Sequence, residues 1–292
     1  YNIKKNPFLA ENDDELNCQS EEALMIQSAG LKKRLNFTKL NKVVIGVSGG
    51  LDSTLALLAA IRTFDILKID RKNILCISMP CFGTSENTFN NAKLLCAELG
   101  VTFREIKIEN TVLEHFKDIG QDIKKQDVTY ENAQARERTQ VLMDIANMEE
   151  AIVIGTGDLS ELALGFMTYG GDHMSMYAIN SGVPKTMAKV LINYEASRLG
   201  GNIKGILIKI LNTPISPELI PSEDKESISQ KTEDILGPYE LHDFFIYYFI
   251  LNGFSPEKIF RLAKIVFKGS YNDQEIKKWL DLFLKRFFTS QF

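Results

Sequence analysis

The chain has 292 residues, enough for one large or two small domains, and its hydrophobic share of 45% is typical of a globular protein with a sizeable core. A net charge of -4 and an isoelectric point near 5.6 argue against a nucleic-acid partner, because they indicate no basic surface. No apolar run reaches transmembrane length and no secretory signal is present, so we expect a cytoplasmic protein without a membrane partner.

The first 20 residues are polar and include an acidic run at 11–15, so residues 1–20 are expected to form a linker or an extended arm. Apolar residues with helical spacing begin after Glu21 and continue to Leu35. We therefore expect one folded domain over residues 21–292.

A glycine-bearing corner follows the first predicted strand. The apolar run 43–47 suits a strand buried on both faces, and a helical pattern begins after it. Glycines let the backbone approach a ligand closely, and the free N–H groups of the helix favour an anion. The candidate phosphate-binding residues are Ser48, Gly49, Gly50, Ser53 and Thr54. Asp52 repels a phosphate and therefore indicates a divalent cation between them, while the alternative is an ordinary tight turn.

The next elements predict a sheet. The segments 73–79 and 102–108 indicate strands, and the segments 88–100 and 110–117 indicate helices. Strands that alternate with helices imply right-handed crossovers and an α/β, doubly wound, mostly parallel sheet flanked by helices. Ligands of such sheets bind beyond the carboxyl ends of the strands, where the corner lies.

A polar helix is predicted from Glu131. Asn132 and Arg136 fall near one face of it, as do Gln134 and Arg138. Two arginines and two amides suit a ligand that carries phosphates. The alternative is a solvated helix with Glu–Arg pairs, which does not explain why its N-terminal half lacks an apolar stripe.

A second glycine corner follows the apolar run 151–154 and leads into another helix. Its tip is expected near the first corner if the two strands are neighbours. Asp158 has the position of a helix cap. Glu161 lies one turn further along and is placed to face the first corner.

A loop of aromatics and glycines at 166–177 contains Asp172 and His173, of which the histidine is expected to lie on the surface. Lys185 stands at the start of the following predicted helix, where the helix dipole disfavours a cation. This position indicates a ligand phosphate or carboxylate as the partner of Lys185.

The remaining third contains one ambiguous segment and one long polar segment. Residues 204–211 fit either a strand or a helix. Residues 213–238 are polar and contain several prolines, so they are expected to form a lid over the site or to be disordered. From Tyr239 onward the pattern is helical, with aromatic stripes that indicate a core or a subunit contact.

The order Ser-Gly-Gly-Leu-Asp-Ser at the first corner resembles the pyrophosphate-binding loop of the N-type ATP pyrophosphatases. Together with the helix at 131–138 and the run Gly-Thr-Gly-Asp-Leu-Ser-Glu-Leu-Ala-Leu-Gly-Phe, it is similar to NAD+ synthetases, and most to the synthetase domain of the glutamine-dependent, two-domain type. The resemblance implies an adenine nucleotide alpha hydrolase-like fold with a helical C-terminal part. It also implies that residues 21–292 are the synthetase domain and that an upstream glutaminase domain is absent from this chain.

The resemblance further implies an activity, its cofactors and its residues. ATP adenylates nicotinic acid adenine dinucleotide with the help of Mg²⁺ and pyrophosphate leaves; ammonia then attacks, giving NAD+ and AMP. The implied ATP contacts are the first corner, Met79 and Thr156. The implied metal ligands are Asp52 and Glu161. The candidate catalytic residues are these two and Asp172, which by resemblance is the acid that handles ammonia. The implied contacts to the dinucleotide are Asn132, Arg136, Arg138 and Lys185.

Partners and alternatives complete the predictions. The resemblance implies a homo-oligomer, and a basic tail beyond Phe292 that full activity is expected to need. The main alternative is another N-type ATP pyrophosphatase, such as a GMP synthetase or a tRNA-thiolating enzyme, the latter disfavoured by the lack of a basic face. A non-catalytic nucleotide-binding fragment is the alternative from another class, and the presence of Asp52, Glu161 and Asp172 together argues against it.

Overall fold

The computed structural model describes residues 3–216, 219–220 and 232–290. Its centre is a parallel sheet of five strands in the order β3-β2-β1-β4-β5. The strands are β1 Val43–Gly46, β2 Ile74–Ser78, β3 Thr102–Glu105, β4 Ile152–Gly155 and β5 Tyr177–Ala178. The predicted doubly wound parallel sheet is confirmed.

Helices cover both faces of this sheet and form the C-terminal part of the chain. The helices before β4 are α1 Asp13–Thr38, α2 Leu51–Leu67, α3 Glu86–Leu99, α4 Glu109–Ile119 and α5 Val128–Glu149. Those after β4 are α6 Leu159–Leu164, α7 Lys185–Leu199, α8 Gly201–Asn212, α9 Thr232–Leu236, α10 Tyr239–Ile246, α11 Pro256–Val266 and α12 Asp273–Ser290. A 3-10 turn at Arg71–Asn73 and a π turn at Tyr247–Leu251 are also present.

The apolar residues of the strands divide between two cores. Ile45 of β1 packs into a core formed with α1, α2, α3, α7 and α8. Val44 faces the opposite core, formed with α4 and α5, because successive side chains of a strand point to opposite faces. A further cluster joins α6 to α10, α11 and α12 around Phe244 and Phe283, so the predicted aromatic stripes do form a core.

The predicted arm over residues 1–20 is wrong for residues 13–20, which belong to α1. The side chain of Asn12 caps this helix by accepting a hydrogen bond from the Glu15 N–H at 2.8 Å. Asp13 and Asp14 complement the positive end of the helix dipole. The acidic run is therefore a helix start.

Other element boundaries differ from the sequence prediction in small ways. β3 ends at Glu105 instead of 108 because its partner β2 ends at Ser78. The ambiguous segment 204–211 lies within α8. Half of the segment 213–238, for which a lid or disorder is predicted, lies outside the described residues, at 217–218 and 221–231. Its described part includes α9. Among the residues that the structure describes, no helix is both long enough and apolar enough to cross a membrane.

Candidate active site

A cavity of about 450 Å³ opens at the carboxyl ends of β1, β2 and β4, where ligands of α/β sheets bind. The predicted residues that line it are Ser48, Gly50, Asp52, Ser53, Met79, Arg138, Thr156, Glu161 and Asp172. The predicted residues outside its described lining are Gly49, Thr54, Asn132, Arg136 and Lys185. The structure thus brings the two glycine corners to one cavity, as the sequence predicted.

The first corner presents hydroxyl and N–H groups to this cavity. The Ser48 hydroxyl accepts a hydrogen bond from the Gly50 N–H at 3.1 Å and lies 3.2 Å from the Ser53 hydroxyl. Gly50 is the N-cap of α2 and supplies no side chain to cap its first turn. The N–H groups of that turn therefore suit an anion in the cavity.

Gly49 and Thr54 have structural positions at this corner. Gly49 has a φ of 84°, and a Cβ there would lie 2.0 Å from the Thr88 carbonyl oxygen. Thr54 is buried and its N–H donates to the Gly50 carbonyl at 3.2 Å, within α2. Gly49 permits close packing on α3, and the predicted phosphate contacts of both residues stay predictions.

The second corner places Glu161 through a capping box. The Asp158 carboxylate accepts from the Glu161 N–H at 2.8 Å, and the Glu161 carboxylate accepts from the Asp158 N–H at 3.4 Å. The predicted cap is therefore confirmed. These reciprocal bonds hold the backbone and the side chain of Glu161 at the start of α6.

Lys185 joins both corners through three carboxylates. Its Nζ lies 2.7 Å from Asp52 Oδ2, 2.8 Å from Asp158 Oδ2 and 3.0 Å from Glu161 Oε1. Carboxylates of the chain itself surround this fully buried ammonium, so Lys185 has partners without a ligand anion, and its predicted contact to the dinucleotide stays a prediction. The role of Asp158 in this cluster was missed, since its position as a cap explained it completely.

Burial and charge shift the pKa values of this cluster. Burial, together with repulsion from Asp52, raises the pKa of Glu161 to about 7 although Lys185 opposes the shift. Burial and repulsion from Glu161 raise the pKa of Asp158 well above its ordinary value. Burial alone would lower the pKa of Lys185, but its three carboxylate partners hold it well above the ordinary range.

Asp243 of α10 holds the helices that carry Glu161 and Lys185. Its buried carboxylate accepts hydrogen bonds from the Ser160 hydroxyl and, at 2.8 Å, from the Thr186 N–H. The Ser160 oxygen accepts in turn from the Lys185 N–H at 2.9 Å. Sequence reasoning missed Asp243, although an acid directly before two phenylalanines of an apolar helix was a usable signal.

The loop after α6 places Asp172 on the cavity. One Asp172 carboxylate oxygen accepts from the Thr168 N–H at 2.7 Å. His173 Nδ1 lies 2.9 Å from the Thr168 carbonyl oxygen, outside the described cavity lining. The loop thus places Asp172, and not His173, on the described lining of the cavity.

The polar helix α5 contacts this loop. Asn132 accepts from the Thr168 hydroxyl at 2.8 Å, and Arg136 donates to the Tyr169 carbonyl at 3.0 Å. Arg138 lines the cavity and donates to the Met79 carbonyl at 3.3 Å. Asn132 and Arg136 therefore hold the loop on α5, and their predicted contacts to a dinucleotide stay predictions.

The donor set at the two corners fits a magnesium ion that is shared with phosphates. Asp52 Oδ1 is buried and has no hydrogen-bond partner among the described residues. Within the same part of the chain, no group of three or more His, Cys, Asp and Glu side chains could hold a metal by itself. Mg²⁺ typically binds one or two carboxylates and completes its shell with waters and phosphates. Asp52 and Glu161 match that pattern.

Comparisons with known proteins agree with the geometry. The glutamine-dependent NAD(+) synthetase of Mycobacterium leprae is 42% identical over an alignment of 314 residues, which covers 99% of this chain and 46% of that protein. The enzyme of the same name from Aquifex aeolicus is 30% identical, covering 83% of this chain and 40% of that protein. The chain therefore spans about half the length of the curated relatives it matches.

Solved structures share the fold. A glutamine-dependent NAD(+) synthetase from Cytophaga hutchinsonii matches with a TM-score of 0.74 and 19% identity, over 93% of this chain and 49% of that chain. The Acinetobacter baumannii enzyme in complex with ADP matches with a TM-score of 0.61 and 23% identity, over 92% and 45%. The NAD synthase family model matches residues 24–275. The chain belongs to the NAD synthase family.

Proposed function

We propose that the chain is the ATP-using part of a glutamine-dependent NAD+ synthetase, a ligase that amidates nicotinic acid adenine dinucleotide to NAD+. The observation that carries this proposal is that Asp52 and Glu161, from two separate glycine corners, both line the cavity and both bind the ammonium of Lys185. The ADP complex of the Acinetobacter baumannii neighbour supports the binding of an adenine nucleotide.

The proposed first step is adenylation. The nicotinate carboxylate oxygen attacks the α-phosphorus of ATP, the bond to the bridging oxygen of the β-phosphate breaks, and pyrophosphate leaves with the electron pair. Ser48, Ser53 and the first turn of α2 hold the phosphates. Asp52 and Glu161 would bind Mg²⁺, which neutralises charge on the leaving pyrophosphate when it is present. Most of the work of the protein is positioning and charge neutralisation.

The proposed second step is amide formation. The nitrogen of ammonia attacks the acyl carbon of the adenylate, the carbon–oxygen bond to AMP breaks, and AMP leaves. We assign Asp172 to accept the proton that the nitrogen loses, because its carboxylate lies on the cavity. The glutamine-dependent names of the relatives, and the fraction of their length that this chain spans, support ammonia supply by a glutaminase domain of a longer parent.

Incubation with ATP, Mg²⁺, nicotinic acid adenine dinucleotide and ammonium tests the proposal. We expect AMP, pyrophosphate and NAD+, with dependence on all four components and no reaction when glutamine replaces ammonium. Asp52→Ala should abolish adenylation, while Asp65→Ala, at the exposed far end of α2, should leave it unchanged. A parent protein that makes no NAD+ at saturating ammonium would refute the proposal.

Two further features bear on the same proposal. Thr213, Ser216 and Glu233, which belong to the described part of the predicted lid segment 213–238, line the cavity. A homo-oligomer is proposed from the family resemblance alone, and analytical ultracentrifugation tests it.

A further inference from the structure

Asn180 lies directly behind the two corners and outside the described lining of the cavity. It follows β5 and is fully buried, at 0% exposure. Its Nδ2 donates one hydrogen bond to the Asp52 carbonyl at 2.9 Å and another to the Thr156 carbonyl at 3.0 Å. One side-chain amide thus bonds the backbone of the first corner to the backbone of the second.

The orientation of this amide follows from its partners. Both acceptors of Nδ2 are carbonyl oxygens, which cannot donate a hydrogen bond. The Asn180 oxygen accepts from Gln27 Nε2 of α1 at 3.0 Å, and the same Gln27 nitrogen donates to the Ile179 carbonyl at 3.0 Å. Gln27 therefore anchors Asn180 to α1, and a flipped amide would face two acceptors with its oxygen.

The Asn180 bridge differs in kind from the Lys185 bridge. Lys185 binds the carboxylate groups of Asp52 and Glu161, which are also the groups that a magnesium ion needs. At the corners Asn180 binds only backbone carbonyls, so it holds the corners together without competing for those carboxylates. The bridge can persist when the carboxylates change partners.

We infer that Asn180 is a positioning residue that sets the separation of the two corners and, through it, the affinity for a magnesium–nucleotide complex. The inference rests on the proposed function. Asn180 contacts neither corner through a cavity-facing group, so its effect passes through the Asp52 and Thr156 backbone. A ligand held by both corners is sensitive to their separation, because productive contacts tolerate little misplacement.

The test replaces Asn180 with aspartate, which keeps the shape and the acceptor for Gln27 but removes both N–H donors. Titration calorimetry of the 292-residue chain with ADP and Mg²⁺ should show a dissociation constant raised about tenfold, the effect of losing two hydrogen bonds of ordinary net strength. The Mg²⁺ concentration for half-maximal NAD+ formation should rise similarly, with an unchanged KM for ammonium.

Ser28→Ala is the matched control. Ser28 is a buried neighbour of Gln27 on α1, and its hydroxyl donates to the Leu24 carbonyl at 2.8 Å. This variant should lower the unfolding temperature and leave the ADP–Mg²⁺ dissociation constant unchanged. If Asn180→Asp also lowers only the unfolding temperature, Asn180 is structural and the inference is overturned.

Two results separate the inference from the function on which it rests. If the unaltered chain binds no ADP with Mg²⁺, the proposed function fails and the inference fails with it. If the unaltered chain binds and Asn180→Asp binds equally well, only the inference fails. Should Asn180→Asp not fold, Gln27→Met removes only the anchor and should weaken binding about threefold; unchanged binding by that variant also overturns the inference.

Discussion

Replacing Glu161 with glutamine tests whether the charge of this carboxyl group destabilises the folded chain. The carboxylate has 22% side-chain exposure and lies 3.0 Å from the Lys185 ammonium. Glutamine retains an acceptor for the Asp158 N–H, because a glutamine can replace a glutamate in a capping box. The substitution therefore removes the charge and preserves the helix start.

The magnitude follows from the pKa of Glu161, which is raised from 4.5 to about 7 in the folded chain, mainly by burial. A folded pKa above the unfolded value means that the folded chain binds the proton more tightly. The stability gained from that proton is fully present below pH 4.5 and is lost as pH rises through 7. This difference corresponds to about 3 kcal/mol of unfolding free energy.

Urea unfolding followed by circular dichroism, at pH 4.5, 6, 7 and 8 with EDTA, measures this difference. The unfolding free energy of Glu161→Gln relative to the unaltered chain should rise by about 3 kcal/mol between pH 4.5 and pH 8. Glu114→Gln, at an exposed glutamate, should show no such rise. Parallel pH–stability curves for Glu161→Gln and the unaltered chain would refute the reasoning. The same substitution should weaken ADP–Mg²⁺ binding, because a proposed metal ligand is lost.

Three further outcomes follow from buried groups elsewhere in the chain. Arg62→Met should cost about 2–3 kcal/mol in urea unfolding, since it removes the bonds to the buried Glu195 carboxylate, which keeps Arg198 as a partner. Arg71→Met, at an exposed pair, should cost only about 0–1 kcal/mol. Burial lowers the pKa of His242 to about 4. The free energy of unfolding should therefore be highest above pH 6.5 and should fall by about 3 kcal/mol as the pH drops toward 4. His242→Gln should make the free energy of unfolding less dependent on pH over this range. Gly49→Ala should lower the unfolding temperature far more than Gly100→Ala, because both have positive φ but only Gly49 meets backbone at Thr88.

Attraction and repulsion around Lys185 together suit this cluster to the proposed magnesium–nucleotide site. Three carboxylates share one ammonium, so the cluster has an excess of negative charge when all groups are ionised. Burial and this excess of negative charge together raise the pKa values of Glu161 and Asp158. It also favours a second cation near Asp52 and Glu161, which is the requirement of a magnesium–nucleotide site.

Local features of the sequence predicted the parallel sheet and both corners. The strand before Ser48 and the strand before Gly155 are continuous apolar runs that only a doubly covered sheet can bury. The glycines and the helix starts that follow span only a few residues each, so the interpretation of the first corner as a phosphate site required no tertiary information. The same local reasoning mistook the acidic start of α1 for a linker, because a capped helix terminus and a solvated arm have similar composition.

Only the tertiary structure decided which groups meet around the site. Lys185, Asp52, Asp158 and Glu161 come from three different elements, and their contacts depend on the strand order β1-β4-β5 and on α7 packing behind it. Asn180 and Asp243 act through backbone groups of distant residues, a relation that has no signature in spacing or composition. The sequence by itself therefore determined the sheet and the two corners, whose causes are local. The partners of each charged group were decided by packing, because contact between residues far apart in the chain depends on the whole fold.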